Sequence, residues 1–331
     1  MNDDLPLVFS LKASHAFGEA VARGLQSSLS AHEEREFEDG EHKSRPLVSV
    51  RGRDVYVIHS LYGDAAQSVN DKLVRLLFFI GTLKDASAAR VTAVIPYLAY
   101  ARKDAKTQTR DPVTTRHVAQ LFEASGADRI VTMDVHNLVA FQNAFRIRTE
   151  HLESLPLFVP HFAALLHDAT RVAVVAPDIG GVKRAERFRA VLSRVRGTEV
   201  AFAVLEKSRA GGVVRGGRLI GDVTNAAVVV LDDMIGTGAT LVHAARTCRE
   251  AGATRILAAA THGLFTGRAA EALADEAIER IVVTDSVPPF RLPPDFVERK
   301  LTVISAASLF AEAIRRLHGG GSLVELMETG G

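Results

Sequence analysis

The chain has 331 residues, 47% of them hydrophobic, which allows a large core and, by length, two domains. Its 40 Lys and Arg nearly balance 39 Asp and Glu, which argues against a broad nucleic-acid or membrane surface but not against a local phosphate pocket. The single cysteine, Cys248, excludes an internal disulfide and a cysteine-rich metal site. With no signal-peptide pattern at the start and no bilayer-length apolar run, a cytoplasmic protein is expected.

Apolar runs and helical spacing alternate along the chain. Residues 7–9 read as a strand and residues 14–29 as a helix. The acidic turn Phe37-Glu38-Asp39-Gly40-Glu41 follows. Residues 55–58 read as a strand ending at His59-Ser60, and 68–83 as a helix with Leu73, Leu76, Leu77 and Ile80 on one face. Strand 91–95 runs into Tyr97-Leu98-Ala99-Tyr100-Ala101-Arg102-Lys103-Asp104, and a helix from Thr114 leads to strand 129–133 and Asp134-Val135-His136.

The pattern then restarts. Strand 172–176 leads to Pro177-Asp178-Ile179-Gly180-Gly181 and a helix, and strand 199–205 to Glu206-Lys207-Ser208-Arg209. The β-branched run 228–231 is closed by Asp232-Asp233, then by Gly236-Thr237-Gly238-Ala239-Thr240, where a helix opens. Strands at 256–260 and 281–284 follow. This alternation predicts mostly parallel sheets with helices on both faces. Residues 114–136 also overlay residues 240–262 without a gap. Thr114/Thr240, His117/His243, Ala119/Ala245, Gly126/Gly252, Ala127/Ala253, Arg129/Arg255, Ile130/Ile256 and His136/His262 are identical, which reads as duplication of one unit. Cys248 falls opposite Phe122 and reads as a core thiol.

Polar groups gather where strands end: Ser60, Arg102, His136, Asp178, Lys207, Asp232 and Asp233. Parallel sheets bind ligands at that edge, so two such edges facing one another would put these groups around one cleft. The stretch 228–240 has the chemistry for a phosphorylated sugar. Small residues let backbone N–H groups turn toward one anion, and a helix N-terminus adds partial positive charge. Thr237 and Thr240 can donate hydroxyls, while Asp232 and Asp233 can accept from a vicinal diol or help hold a divalent metal.

This stretch resembles the loop for 5-phosphoribosyl 1-diphosphate (PRPP) shared by type I phosphoribosyltransferases and PRPP synthetases. The likeness to the PRPP synthetase (ribose-phosphate diphosphokinase) family extends over about residues 5–320. It implies two tandem type I phosphoribosyltransferase-like α/β domains, at 1–150 and 151–305. A C-terminal helix and tail at 306–331 is expected to pack back on the first. It further implies conversion of ATP and ribose 5-phosphate to PRPP and AMP, with Mg²⁺.

By the same resemblance, Asp232, Asp233, Gly236, Thr237, Gly238, Ala239 and Thr240 bind ribose 5-phosphate. Arg102, Lys103, Asp104 and His136 bind ATP, and His136 and Asp178 place the metal. Lys207 and Arg209, at the start of a mobile loop, are catalytic together with His136; Gly211-Gly212 and Gly216-Gly217 fit that mobility. Phe37, Asp39 and Glu41 resemble a hairpin that completes the adenine pocket of a neighbouring subunit, which implies a homo-oligomer, dimer or hexamer.

Three positions depart from the family pattern. Lys103 stands where Gln is usual, Gly236 where many members carry a third Asp, and Ala239 where a second Gly is usual, although related phosphoribosyl loops carry Thr-Gly-Ala-Thr. Two other readings follow: a non-catalytic regulatory homologue, and a phosphoribosyltransferase that consumes PRPP.

Overall fold

The computed structural model describes residues 5–210 and 213–328. The chain divides into two units: residues up to Glu153 with Ala306–Leu326, and Ser154–Ser305 with the last residues from Met327. The first contains β1 (Leu7–Ser10), α1 (His15–Gly24), β2 (His32–Glu36), β3 (His42–Pro46), β4 (Asp54–Ile58), α2 (Val69–Asp85), β5 (Arg90–Ile95), α3 (Thr114–Ala124), β6 (Arg129–Met133), α4 (Leu138–Ala144) and β7 (Arg148–Leu152). Its five-stranded sheet is parallel, in the order β1-β4-β5-β6-β7, and β2 and β3 form a separate antiparallel pair.

The second contains α5 (Leu155–Leu165), β8 (Val172–Ala176), α6 (Val182–Arg196), β9 (Ala201–Ala210), β10 (Val213–Ile220), β11 (Ala227–Ile235), α7 (Ala239–Glu250), β12 (Arg255–Gly263), α8 (Ala269–Leu273), β13 (Arg280–Thr284), α9 (Pro294–Lys300) and β14 (Leu301–Ile304). Its sheet runs β10-β9-β8-β11-β12-β13-β14, and only β9 and β10 are antiparallel. Two helices, α10 (Ala307–Gly319) and α11 (Leu323–Glu328), end the described chain. α10 packs on the first unit: Phe310 meets Phe17 edge-on at 5.6 Å, and His318 Nδ1 lies 2.7 Å from Asp54 Oδ2.

Compared element by element, the units follow one plan. The series β1-α1-hairpin-β4-α2-β5-α3-β6-α4-β7 matches β8-α6-hairpin-β11-α7-β12-α8-β13-α9-β14. In the second unit the chain leaves β8 to one side through α6 and β9, then returns to its other side as β11. The Ser30 N–H, 2.7 Å from Val8 O, likewise carries the chain leaving α1 along the edge of β1 that β4 does not cover. β1/β4 and β8/β11 are therefore equivalent reversal points, where α/β sheets open a crevice.

This plan corrects the register of the sequence overlay. The overlay pairs α3–β6 with α7–β12, whereas the topology pairs α2–β5 with α7–β12. The overlaid residues share a turn instead. After α3 and α7 a left-handed glycine follows, Gly126 (φ +87°) and Gly252 (φ +88°), and the next N–H reaches back to Phe122 O (3.1 Å) or Cys248 O (3.0 Å). Ser87 (φ +66°) after α2 and Gln26 (φ +56°) after α1 build the same turn. Such exits satisfy a helix's last carbonyls. The same turn explains why α1 stops at Gly24 rather than near residue 29: Ser27 N–H bonds Ala22 O at 3.0 Å.

Two further expectations change. β11 continues through Asp232 and Asp233 to Ile235, because β12 pairs with it as far as Ile235↔Gly263. Lys207 and Arg209 lie on strand rather than in a loop, since β9 runs to Ala210 and pairs with β10. Gly217 serves close approach there: a Cβ would sit 2.6 Å from Glu206 O. Gly211 and Gly212 lie outside the described residues. Cys248 is fully buried, and burial pushes its thiol up to about 12, as befits a core residue. Among the described residues no helix is long and apolar enough to cross a membrane.

The exit turns make opposite predictions for two substitutions. Gly252→Ala meets no atom closer than 3.5 Å, so only its φ is penalised, and it should cost about 1–2 kcal/mol. Ser87→Gly should stabilise by up to about 1 kcal/mol, since a left-handed residue loses its side-chain penalty. Urea unfolding of the two variants beside the parent chain measures both.

Candidate active site

In the second unit the expected sugar-phosphate residues converge at the β8/β11 reversal. The register Val175↔Val230 sets the end of β8 just before Asp232 and Asp233 of β11. Asp178 follows β8 and accepts the Gly181 N–H at 3.2 Å, which starts the turn into α6. Two turns of residues later, Arg184 Nη1 stands 3.8 Å from Asp233 Oδ1. Asp233 is buried, and its N–H donates to Asp232 Oδ1 at 2.9 Å. Burial, then the neighbouring Asp233, push the Asp232 carboxyl up to about 7. A second ionised carboxylate is therefore disfavoured at this position.

The loop beyond it is braced from behind. Ile235 O accepts the Leu264 and Phe265 N–H groups (2.9 and 3.0 Å), and Gly236 O accepts Thr266 N–H (3.0 Å). Gly238 is left-handed (φ +81°), and a Cβ there would lie 2.6 Å from Leu273 Cγ. Gly236 is different: a Cβ would meet only Thr266 Oγ1, at 3.8 Å. Thr237 and Ala239 are exposed and Thr240 is half-buried at the start of α7, where the first N–H groups have no partner within the helix.

At the matching reversal of the first unit, β1/β4, the crevice is filled. Ser14 Oγ lies 3.1 Å from His59 Nδ1 and accepts the Ser60 N–H at 2.9 Å, and Ser60 Oγ accepts the Tyr97 N–H at 3.2 Å. Ser14, His59 and Ser60 are all buried. Burial, then the Lys72 charge, lower His59 to about 3, so its imidazole is neutral.

The candidate ATP residues of this unit sit on loops after β5 and β6. The β5 loop is strapped to α3, where Thr115 Oγ1 donates to Tyr100 O (2.9 Å) and Lys103 O (3.2 Å). Lys103 Nζ pairs with Asp111 and bonds Thr107 Oγ1 at 2.9 Å, and these contacts hold the Asp111 carboxyl well below the usual range. Lys103 thus shapes its own loop, while Arg102 is exposed. Asp104 Oδ2 accepts Asn137 Nδ2 at 2.8 Å, and Asn137 also caps α4 through the Ala140 N–H (3.1 Å). This ties the β5 loop to the residue after His136. His136 itself is exposed. Before it, Asp134 is buried and left-handed (φ +40°).

The β2–β3 turn is compact. Phe37 N–H donates to Glu41 O (2.8 Å), Asp39 Oδ1 accepts the Glu41 N–H (3.0 Å), and the Arg35 guanidinium lies 5.1 Å from the Phe37 ring centre. The hairpin is fixed on α2 by the Arg75–Glu36 pair and by His42 stacked on Phe78 at 5.6 Å. The side chains of Lys207 and Arg209 lie outside the described residues.

Sequence reasoning left Arg184, Thr115 and Asn137 without roles. Asn137 had a usable signal, an amide just before a helix. The other two act through partners distant in sequence. Among the described residues no three His, Cys, Asp or Glu side chains converge as a metal cage. One or two carboxylates completed by substrate phosphates is the donor set that suits Mg²⁺, and Asp178 beside the acidic pair fits it.

A family model for the N-terminal domain of ribose phosphate pyrophosphokinase matches residues 7–126, and one for the phosphoribosyl synthetase-associated domain matches residues 216–328. A ribose-phosphate pyrophosphokinase of Caldanaerobacter subterraneus subsp. tengcongensis is 39% identical over 321 residues, which is 96% of this chain and 96% of that protein. That of Ureaplasma parvum is 38% identical over 291 residues, 86% of this chain and 84% of that protein. The crystal structure of phosphoribosylpyrophosphate synthetase from Mycobacterium smegmatis matches with TM-score 0.84 and 33% identity, covering 95% of this chain and 99% of that one. Near-full-length identity and a shared phosphoribosyltransferase-type architecture agree: the chain belongs to the ribose-phosphate pyrophosphokinase family.

Proposed function

We propose that this chain transfers the β,γ-diphosphoryl group of ATP to the C1 hydroxyl of ribose 5-phosphate, giving PRPP and AMP. The observation that carries this reading is the adjacent carboxylate pair beside a braced Gly/Thr loop at a sheet reversal. In this reading the loop and the N-terminus of α7 take the 5-phosphate, with Thr237 and Thr240 donating hydroxyls. Asp232 and Asp233 accept from the ribose hydroxyls, and Arg184 lies beside Asp233.

Arg102 grips the triphosphate from a loop that Lys103 and Asp104 hold in shape, and His136 meets the phosphates beside it. Asp178 with the acidic pair, and His136 on the nucleotide side, would hold Mg²⁺, which when bound neutralises phosphate charge. The sugar hydroxyl forms a bond to the β-phosphorus as the bond from that phosphorus to the AMP oxygen breaks. Lys207 and Arg209 stabilise charge on the moving group, so the rate gain is alignment and electrostatics without a covalent enzyme intermediate. Phe37, Asp39 and Glu41 serve the adenine pocket of a neighbouring copy in a homo-oligomer.

Incubation with ATP, ribose 5-phosphate and Mg²⁺ tests the reading. AMP and PRPP should appear together. A folded chain that yields no AMP would be a regulatory homologue, and one that consumes PRPP with a base would be a transferase.

Lys207→Ala should lower kcat by about a hundredfold or more with ATP affinity little changed, because its charge matters mainly in the transition state. Steady-state kinetics beside nucleotide binding decide this, and a matching loss of ATP affinity would contradict it.

Asp232→Asn should raise the KM for ribose 5-phosphate about tenfold or more, as a charged hydrogen-bond acceptor is lost. Because burial and the neighbouring Asp233 raise the Asp232 carboxyl, binding of sugar phosphate and Mg²⁺ should expel protons at mildly acid pH and fewer as the pH rises. Calorimetry in buffers of different ionisation enthalpy counts them, and the Asn variant should lose this release.

The loop glycines should separate. Gly238→Ala, strained and driven into Leu273, should lose sugar-phosphate binding. Gly236→Asp, with room for its Cβ, should keep the parent melting temperature. Thermal unfolding with and without ribose 5-phosphate compares them.

A further inference from the structure

The turn that presents His136 is held by a side chain to which nothing so far gives a role. Asp134 follows β6 in the left-handed region (φ +40°), which a residue with a side chain adopts only when its surroundings impose it. Two contacts from β7 impose it. Asp134 N–H donates to Leu152 O at 3.0 Å, and Val135 N–H donates to His151 Nε2 at 3.2 Å. A backbone N–H can only donate, so Nε2 is the acceptor and the ring is neutral with its proton on Nδ1.

The second unit supplies the control. There the matching turn has Asp285 N–H on Ile304 O at 3.1 Å, and Asp285 is not left-handed. Leu152 therefore corresponds to Ile304, and His151 to Val303, which has no acceptor to offer. The fold builds this strand end without a histidine. The acceptor occurs where the chain must bend the other way, one residue ahead of His136.

We propose that His151 is a positioning residue for the diphosphoryl transfer: by accepting the Val135 N–H it locks the left-handed turn at Asp134 and so fixes where His136 meets the ATP phosphates. This rests on the reading of His136 given above. His151 has no contact with substrate in this role and acts only through the backbone of Val135. The remainder of the brace is already in place, since Asn137 on the far side of His136 is tied to Asp104.

Three variants of the full chain test it: His136→Ala, His151→Val and His151→Gln. Valine is what the sister strand carries, so His151→Val should fold, as its melting temperature will report. It should lower kcat about tenfold, the size expected for one lost hydrogen bond, while the KM for ribose 5-phosphate stays at the parent value. Hydrogen exchange at the Val135 amide should speed up by a similar factor. Glutamine can offer an oxygen near the position of Nε2, so His151→Gln should restore both the rate and the protection. Unchanged kcat in His151→Val, or a glutamine variant as impaired as the valine one, overturns the proposal. If His136→Ala itself turns over at the parent rate, the assignment of His136 falls and the proposal with it. A slow His136→Ala beside a fast His151→Val sinks the proposal alone.

Discussion

The end of β11 places two carboxylates on consecutive residues where water is scarce, and electrostatics forbids both from ionising cheaply there. Much of the second unit can be understood as an answer to that constraint. Asp178 caps the turn that starts α6, and α6 brings Arg184 to 3.8 Å from Asp233. The positive end of α7 begins just past the same strand. Even so, the Asp232 carboxyl stays raised. Such a site favours a ligand that brings hydroxyl donors or a cation, which the proposed sugar phosphate and its metal would supply.

The first unit solves a different problem. Its candidate residues lie on long connections rather than at a charged strand end, so they need mechanical support. The support is made of ordinary hydrogen bonds: Thr115 under the β5 loop, Asp104 to Asn137 across two loops, and the β7 contacts beneath Asp134. Lys103 illustrates the difference. A cation that looked like a phosphate ligand has its charge engaged by Asp111 inside the loop.

The sequence was legible where one residue type has one physical use. Buried parallel strands had to be apolar runs, and β6 and β8 begin and end as their composition implies. Gly238 was legible as backbone freedom, though the reason it must lack a side chain, Leu273 behind it, lies 35 residues away and is visible only in three dimensions. Local pattern also misled. The similarity between residues 114–136 and 240–262 is real, but it reflects a helix exit that five of the described helices use, two of them without glycine. Glycines beside Lys207 suggested mobility, yet Gly217 lets a strand approach closely. Thr115 and His151 could not be read at all, because each acquires its meaning from a partner that only the folded chain brings near.

The sealed reversal at β1/β4 has a stoichiometric meaning. Two copies of one plan would ordinarily offer two equivalent pentose sites. In the first copy Ser14, His59 and Ser60 occupy that crevice themselves and bond to one another, with an uncharged imidazole where the other copy has its carboxylates. Under the proposed function, a chain built on this doubled plan therefore takes one acceptor molecule, at the second copy.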